Sequence, residues 1–455
     1  MDSSKTARGA LKGVFQLSVG TTVTRLISAG SQFVLAIWLV PAQFGLWAAA
    51  ISATAFAVAL TNFGLVDGYL ARRGLTLRSL LKQSTIGNVL LTLPVLAIAA
   101  LYSRSGNHEV GLLVLLAGCN IPLTGLSEVL NARRLRRNGY RSIVLSQACA
   151  AFAKLGVGVA VAYATHSAVA IALSAIAFSV VMILLLLLPS SSREVVVDEP
   201  EYRPQERIAW ATHALVMRLP PYLGFLVAQF LTTPDVLGMY YLSYQAVVAV
   251  SSVVAPPLKR VALNTMTQHP PEVKTMLART FSHIASRATL TASAGAVVVL
   301  PLVWHLAPTH WRDALPAMLV FLALLPGRML SPVIDAYQQA SDEWNKSIRF
   351  HVFDGIVVCL AAITALMDDI FLLALVLSVS RLGVIGVRTY FAYVMPKRER
   401  WSLTAVSTGL PFALIVSAAV RDVTPVPSLT CFAIGAFLLG SAVVPLLRGD
   451  SPTAA

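Results

Sequence analysis

Apolar runs of roughly 20 residues follow one another along the whole chain, parted by short polar or basic stretches. A bilayer-crossing helix needs about 20 such residues. The pattern predicts fourteen spans, over 14–39, 44–66, 85–103, 110–130, 142–164, 167–188, 208–232, 236–258, 284–307, 314–337, 348–367, 370–394, 402–420 and 427–447. Prolines fall within several of them, at Pro94, Pro122, Pro220, Pro221, Pro301, Pro326, Pro332 and Pro411. Membrane helices tolerate these as kinks or unwound segments. The predicted class is an all-α polytopic membrane protein.

Composition agrees. Of 455 residues, 56% are hydrophobic and only 12% charged, against about 25% charged in a soluble domain. Too few polar residues exist to cover a water-exposed surface. Lys5, Arg8 and Lys12 precede the first run, which is too long for a signal-peptide core and reads as a retained span. The tail 448–455 is expected to be disordered. Cys119, Cys149, Cys359 and Cys431 stand singly without CxxC or CxxH spacing, which speaks against a disulfide framework or zinc site.

The net charge of +14 gains meaning from its placement. With the N-terminus in the cytoplasm, alternate loops carry 26 of the 35 Lys and Arg residues, and the outer turns carry only Arg104, Arg312 and Arg421. That asymmetry places both termini inside. It explains the basic balance without nucleic acid. Six basic residues remain within spans: Arg25, Lys154, Arg218, Arg328, Arg381 and Arg388. The acids in or near the membrane are fewer: Asp67, Glu128, Asp335 and Asp354.

The chain also repeats itself. Shifted by 193 residues, Arg25-Leu26 falls on Arg218-Leu219, and "PAQFGLW" (41–47) falls on "PDVLGMY" (234–240). Only five of 24 positions agree, but they include the intramembrane arginine and the Pro and Gly of the expected outer turn. An even number of spans separates the copies, which makes the repeat parallel.

"RLISAGSQFVLAIWLVPAQFGLWAAAISATAFAVALTNFGLVDGYLARR" (25–73) resembles the N-terminus of the polysaccharide-transport branch of the multidrug/oligosaccharidyl-lipid/polysaccharide (MOP) exporter superfamily, which includes O-antigen and exopolysaccharide flippases. The pattern is an Arg early in span one, a P-x-x-F-G-x-W turn, and "NFGL" (62–65) closing span two before a basic loop. "YQQASDEWNKSIRF" (337–350) is similar to the family's second-lobe turn. The resemblance implies two pseudo-symmetric six-helix lobes, 1–188 and 208–394, joined by a cytoplasmic linker, 189–207, and followed by two extra helices in 395–447. It implies a flippase for polyprenyl-pyrophosphate-linked oligosaccharide, working by alternating access in the bacterial cytoplasmic membrane. Membrane lipid and a polysaccharide polymerase or assembly proteins would be its surroundings, the protein itself a monomer, with no cofactor.

The candidate site follows from the buried charges. Arg25 lies about 17 Å into its span at 1.5 Å per residue, where a guanidinium stays charged and costs about 2.5–3.5 kcal/mol to insert. It therefore faces protein, water or an anion, and a pyrophosphate suits its planar fork. The alternative is a helix-locking pair with Asp67, Asp335 or Asp354. Arg218, Lys154, Arg328 and Arg381 join the candidate cavity; for Lys154 the alternative is a pair with Glu128 or a backbone carbonyl. Asp335 and Asp354 are the coupling-ion candidates, the alternative for Asp354 being a salt bridge to Arg328 or Arg349. Arg388 is expected to snorkel to the inner boundary. Trp38, Trp47, Tyr240, Tyr241 and Tyr244 are expected in an interfacial aromatic belt. No P-loop motif is present, and the outer acidic pair Asp368-Asp369 reads as an exposed helix end, so an enzyme is not expected. The rivals are a cation-coupled drug or metabolite antiporter of the same superfamily, which wants cavity acids, and a peptidoglycan lipid-precursor flippase.

Overall fold

A computed structural model describes residues 24–391 apart from 26, 29, 71–75, 138, 189–210, 213, 214, 268, 307 and 342. The predicted linker 189–207, the spans at 402–420 and 427–447 and the tail lie outside the described residues. Among those described, every regular element is helical, and nine helices are long and apolar enough to cross a membrane. The described residues form two compact units, one up to Gln229 and one from Phe230.

In the first unit, the described residues among 24–35 are helical, and they and a turn at 36–40 precede α1 (Pro41–Ala59), α2 (Leu65–Leu70), α3 (Leu77–Arg104), α4 (His108–Arg136), α5 (Tyr140–Thr165), α6 (Val169–Leu187) and α7 (Pro220–Ala228). Pro41 opens α1 and so ends the turn instead of lying in it; its missing N–H is an orphan there anyway. Three-residue connections fold α3 onto α4 and α5 onto α6. Helix α7 packs on α1, which is why the units divide after Gln229 instead of in the linker. The burial pattern is that of a membrane helix. In α3, Ser84, Gly87 and Asn88 are buried, while Ile86, Val89, Leu90 and Leu93 are exposed. Small residues let backbones approach, and the exposed apolar face suits lipid.

The close of α1 is unusual. Asn62, Phe63 and Gly64 take left-handed φ values of 61°, 47° and 71°, a conformation that costs a residue with a Cβ roughly 1–2 kcal/mol. Side-chain hydrogen bonds hold it. The Asn62 amide donates to Glu128 Oε2 (2.7 Å) and the Gly125 carbonyl (3.3 Å). Its Oδ1 accepts from Ser84 Oγ and from Asn88 Nδ2 (2.9 Å), and its backbone N–H donates to Asn88 Oδ1 (3.0 Å). Gly87 leaves room for the Phe63 ring, which a Cβ there would meet at 2.7 Å. The kink thereby ties α1 to α3 and α4. Nearby, Arg134 donates to the carbonyls of Leu186 and Leu188, using its fork to satisfy the end of α6.

The second unit holds α8 (Pro234–Thr267), α9 (Pro271–Leu306), α10 (Ala314–Leu322), α11 (Leu325–Ala340), α12 (Trp344–Ala362) and α13 (Ile370–Phe391). At 34 and 36 residues, α8 and α9 are about 50 Å long, far beyond the ~30 Å hydrocarbon core. Most of the basic stretch from Lys259 to Arg287, expected as a loop, is therefore helical. Helices α10 and α11 form the buried centre. They part at Ala323 and Leu324, whose N–H groups bond three residues back, just before Pro326, which has no N–H to continue the ladder. Asp369 caps α13 by accepting from the N–H groups of Phe371 and Leu372. Asp368 accepts from Thr232 and Thr233.

The repeat seen in sequence recurs in backbone. A helix ends at residue 35 and again at Ala228; turns follow at 36–40 and 229–233; Pro41 and Pro234 then open long helices.

Candidate functional site

The second unit gathers three of the predicted residues. Arg381 on α13 grips Asp354 on α12 with both edges of its fork: Nε to Oδ1 at 3.1 Å and Nη2 to Oδ2 at 2.7 Å. Its Nη1 donates to the hydroxyl of Tyr244 on α8 at 3.2 Å. The same oxygen accepts from Arg328 Nη1 at 2.6 Å, and Arg328 Nε donates to Ser251 Oγ at 2.9 Å. Four helices thus deliver side chains to one point. Tyr244 lies ten residues past Pro234, Asp354 ten past Trp344 and Arg381 eleven past Ile370. Each is about 15 Å from its helix start, which is mid-span.

The electrostatics are set by that hydroxyl. Two guanidinium nitrogens on one oxygen lie within about 6 Å of each other. At that separation and an effective dielectric near 20, two unit charges repel by about 3 kcal/mol. Asp354 neutralises one charge and leaves the cluster at net +1. Asp354 pairs with Arg381, not with Arg328 or Arg349.

Tyr244 is the member of this cluster that sequence reasoning misplaced. Tyr240, Tyr241, Tyr244 and Trp47 are all buried in protein, not set in an interfacial belt. Tyr240 stacks on Phe321 and Tyr244 meets the same ring edge-on, at 5.5 and 5.8 Å. The missed signal was depth: a tyrosine ten residues into a span is too deep for the interface.

Asp335 sits apart from this cluster. It accepts from Arg388 and from Ser347 Oγ (2.9 Å), and lies 3.1 Å from His351 Nε2. Arg388 also reaches Gln338 and Ser331, and lies over the Phe350 ring at 4.0 Å. The pair's side chains are 4% and 2% exposed. Arg388 therefore does not snorkel; Asp335, one helix away, makes burial the better solution.

The first unit carries the other three. Lys154 Nζ donates to Ser28 Oγ at 2.9 Å, with the Ser28 carbonyl at 3.4 Å. Its partner is thus the first helix and not Glu128, which holds Asn62. Arg25, half-buried, stands one helical turn before Ser28. Arg218 is exposed at the end of the helical residues 215–218, two residues before α7. Of the acids proposed to pair with Arg25, Asp335 and Asp354 are engaged by arginines of the second unit, and the Asp67 side chain lies outside the described residues. Among the described residues no cluster of His, Cys, Asp or Glu could hold a metal.

Comparison with known proteins gives the class. The chain is similar to the lipid II flippase MurJ in an inward closed conformation, with a TM-score of 0.65 and 11% identity over 95% of this chain and 99% of that one. It is similar to a MATE structure in complex with MaL6, at 0.56 and 16% over 87% and 96%. A MOP superfamily transporter from Pyrococcus furiosus gives 0.54 and 14% over 87% and 98%. The fold is that of the MOP superfamily, in a multi-pass membrane protein. No curated protein matches the chain in sequence. The family model for polysaccharide biosynthesis proteins matches residues 34–316, and the chain belongs to that family.

Proposed function

We propose that the protein flips polyprenyl-pyrophosphate-linked oligosaccharide across the cytoplasmic membrane for surface polysaccharide synthesis, by alternating access, with both termini cytoplasmic. The observation that carries this reading is the mid-span pair Arg328 and Arg381 on one tyrosine hydroxyl. Guanidinium forks suit phosphate oxygens, and ionisable groups at such depth mark substrate paths. In the first unit Arg25, Lys154 and Arg218 are candidate substrate contacts of their own, and the sugar's pathway would supply a polymerase or assembly protein as neighbour. Of the two coupling candidates, Asp354 belongs to this cluster, and Asp335 serves as a structural tie. A cation antiporter fits less well, because both acids are held by arginine.

The test is export. Arg381→Ala, Arg25→Ala and Arg25→Lys are expressed in cells lacking the endogenous transporter, at matched protein levels, and surface polysaccharide is quantified. Loss of export in the alanine variants is expected, with little recovery in Arg25→Lys, since an ammonium lacks the fork. Normal export by both alanine variants would refute the reading.

A further inference from the structure

The tie between Asp335 and Arg388 leaves one donor unused. Every described hydrogen bond to Asp335 falls on Oδ1, which accepts from Arg388 Nη2 on α13 and from Ser347 Oγ and His351 Nε2 on α12, the last two at 2.9 and 3.1 Å. Arg388 Nε is buried and has no hydrogen-bond partner among the described residues. A guanidinium grips a carboxylate best through two parallel N–H groups, and toward Asp335 Arg388 uses only one. His351 Nε2 is the donor of its bond, because a carboxylate only accepts; in the neutral ring Nδ1 then carries no proton. The tie sits at one end of three helices, with Arg388 three residues before Phe391 and His351 seven after Trp344. Asp335 and Arg388 lie seven residues, about two turns, from Arg328 and Arg381 on the same helices, and Ser347 lies seven from Asp354. The tie and the arginine cluster are thus two layers of α11, α12 and α13.

We propose that His351 is a proton-binding latch: neutral, it holds α12 to α11 through Asp335; protonated, it leaves for water, and Asp335 turns to close the fork on Arg388 Nε and Nη2. The charges facing His351 decide this. Asp335 faces it from α11, and across that carboxylate stand Arg388 from α13 and Lys259 from α8. On its own helix, Asp354 is taken by Arg381 and Arg349 is exposed. With His351 neutral, Asp335 and Arg388 cancel. An imidazolium is drawn to Asp335 at 3.1 Å, but Arg388 Nη2, on the same oxygen, repels it from within about 6 Å. Coulomb energy falls as the inverse of distance, so that one repulsion cancels at least half of the attraction. Lys259 adds to the repulsion, and taking an imidazolium out of water opposes burial further. Release is compensated on the other side. Ser347 and His351 turn to water, while the Arg388 Nε–H gains the acceptor it lacks. That exchange brings the two states close enough for one proton to choose between them. Histidine is the side chain whose charge ordinarily changes between pH 5 and 8. The open state binds the extra proton, so opening grows as pH falls. The latch stands whatever anion the arginine cluster takes. Its release frees one end of the helices that carry that cluster, and with the orientation proposed above that end faces the cytoplasm.

The experiment measures distances in the full-length protein in lipid nanodiscs. The native cysteines are replaced by serine, and spin labels are attached at Asn345→Cys on α12 and Thr280→Cys on α9, both exposed positions. Double electron–electron resonance is recorded on samples frozen from pH 5, 6, 7 and 8. With His351 intact, a second distance is expected to grow in as pH falls, the ratio of the two populations changing by up to about tenfold per pH unit, as one-proton linkage requires. His351→Gln keeps an N–H donor but takes no proton, and is expected to hold the pH 8 distance throughout. His351→Asn carries the same expectation and serves if the glutamine variant does not fold. Arg388→Lys keeps the charge but has no Nε, and is expected to populate the open state about tenfold less at pH 5. One unchanged distance at all four pH values with His351 intact overturns the proposal. So does a pH response that survives in the neutral variants, which would place the proton elsewhere. Failure of both neutral variants to fold overturns it too, since the closed tie is held to need only a neutral donor. An Arg388→Lys protein that opens as fully as its parent overturns the closing of the fork.

Discussion

Replacing Asn62 by alanine isolates what the left-handed kink after α1 depends on. The substitution removes the acceptor of Ser84 Oγ and Asn88 Nδ2 and the donors to Glu128 and Gly125. Asn88 keeps Ser84 Oγ at 3.2 Å, so the main losses are the acceptor of the buried Ser84 hydroxyl and the charge-assisted bond to Glu128. An orphaned buried hydroxyl costs about 1–3 kcal/mol and a hydrogen bond to a charged group is worth about 1.5–3 kcal/mol, giving about 3 kcal/mol for the side chain. The φ of 61° at this position adds about 1 kcal/mol for alanine but nothing for glycine. A 1 kcal/mol change moves Tm by roughly 2–4 °C in a unit of about 200 residues. Asn62→Ala is therefore expected to lower the apparent Tm by about 8–16 °C, and Asn62→Gly by about 2–4 °C less. Tryptophan fluorescence during heating at one fixed scan rate reads this directly. An Asn62→Ala protein within about 2 °C of wild type would show that the network does not hold the kink. A glycine variant no more stable than alanine would show that backbone strain plays no part.

Asp335→Asn, which strips the counter-ion from buried Arg388, is expected to cost about 3–5 kcal/mol; Asp335→Asn combined with Arg388→Met should unfold at a higher temperature than the single variant, and a lower one would refute the pairing. Arg134→Ala frees the Leu186 and Leu188 carbonyls and is expected to speed hydrogen exchange in the last turn of α6, with Arg134→Lys restoring only part of the protection. Asp368 is held below the usual carboxylate range, first by the Thr232 hydroxyl and then by the Thr233 N–H. Its stabilisation is fully present above the ordinary value and lost as pH falls through the lowered one, below about pH 4. Because the carboxylate is solvent-exposed the effect is small, and Asp368→Asn should flatten that part of the acid-unfolding curve.

The spans were legible because each is a long apolar run whose boundaries coincide with charges; most described helices follow them, while α8 and α9 overrun theirs into the basic stretch. What sequence counting lost was partnership. Arg388 reads as a snorkelling residue when measured from its own helix end; Asp335 is 53 positions away and nothing local announces it. Tyr244 reads as an interfacial aromatic until its depth is set beside two arginines from other helices. Lys259 to Arg287 looked like a loop because charge density, not helix propensity, dominates a hydropathy reading. The Asn62 kink was visible only as a family-like "NFGL", since a left-handed Phe63 is stabilised by packing against Gly87 and not by its own preference. The repeat, by contrast, was legible in full register, because a proline can open a helix but not sit in its interior without penalty, and that constraint is local.

The Asn62 network also imposes an order on synthesis. Asn62 leaves the ribosome 22 residues before Ser84, 26 before Asn88 and 66 before Glu128. At about 5–20 residues per second, Glu128 arrives roughly 3–13 s after it. Ser84 and Asn88 are made early in that interval, but until its end the Asn62 carboxamide N–H groups lack the Gly125 and Glu128 acceptors that later enclose them. Span two thus enters the bilayer unfinished, and the arrival of α4 at the insertion machinery is the event that completes it.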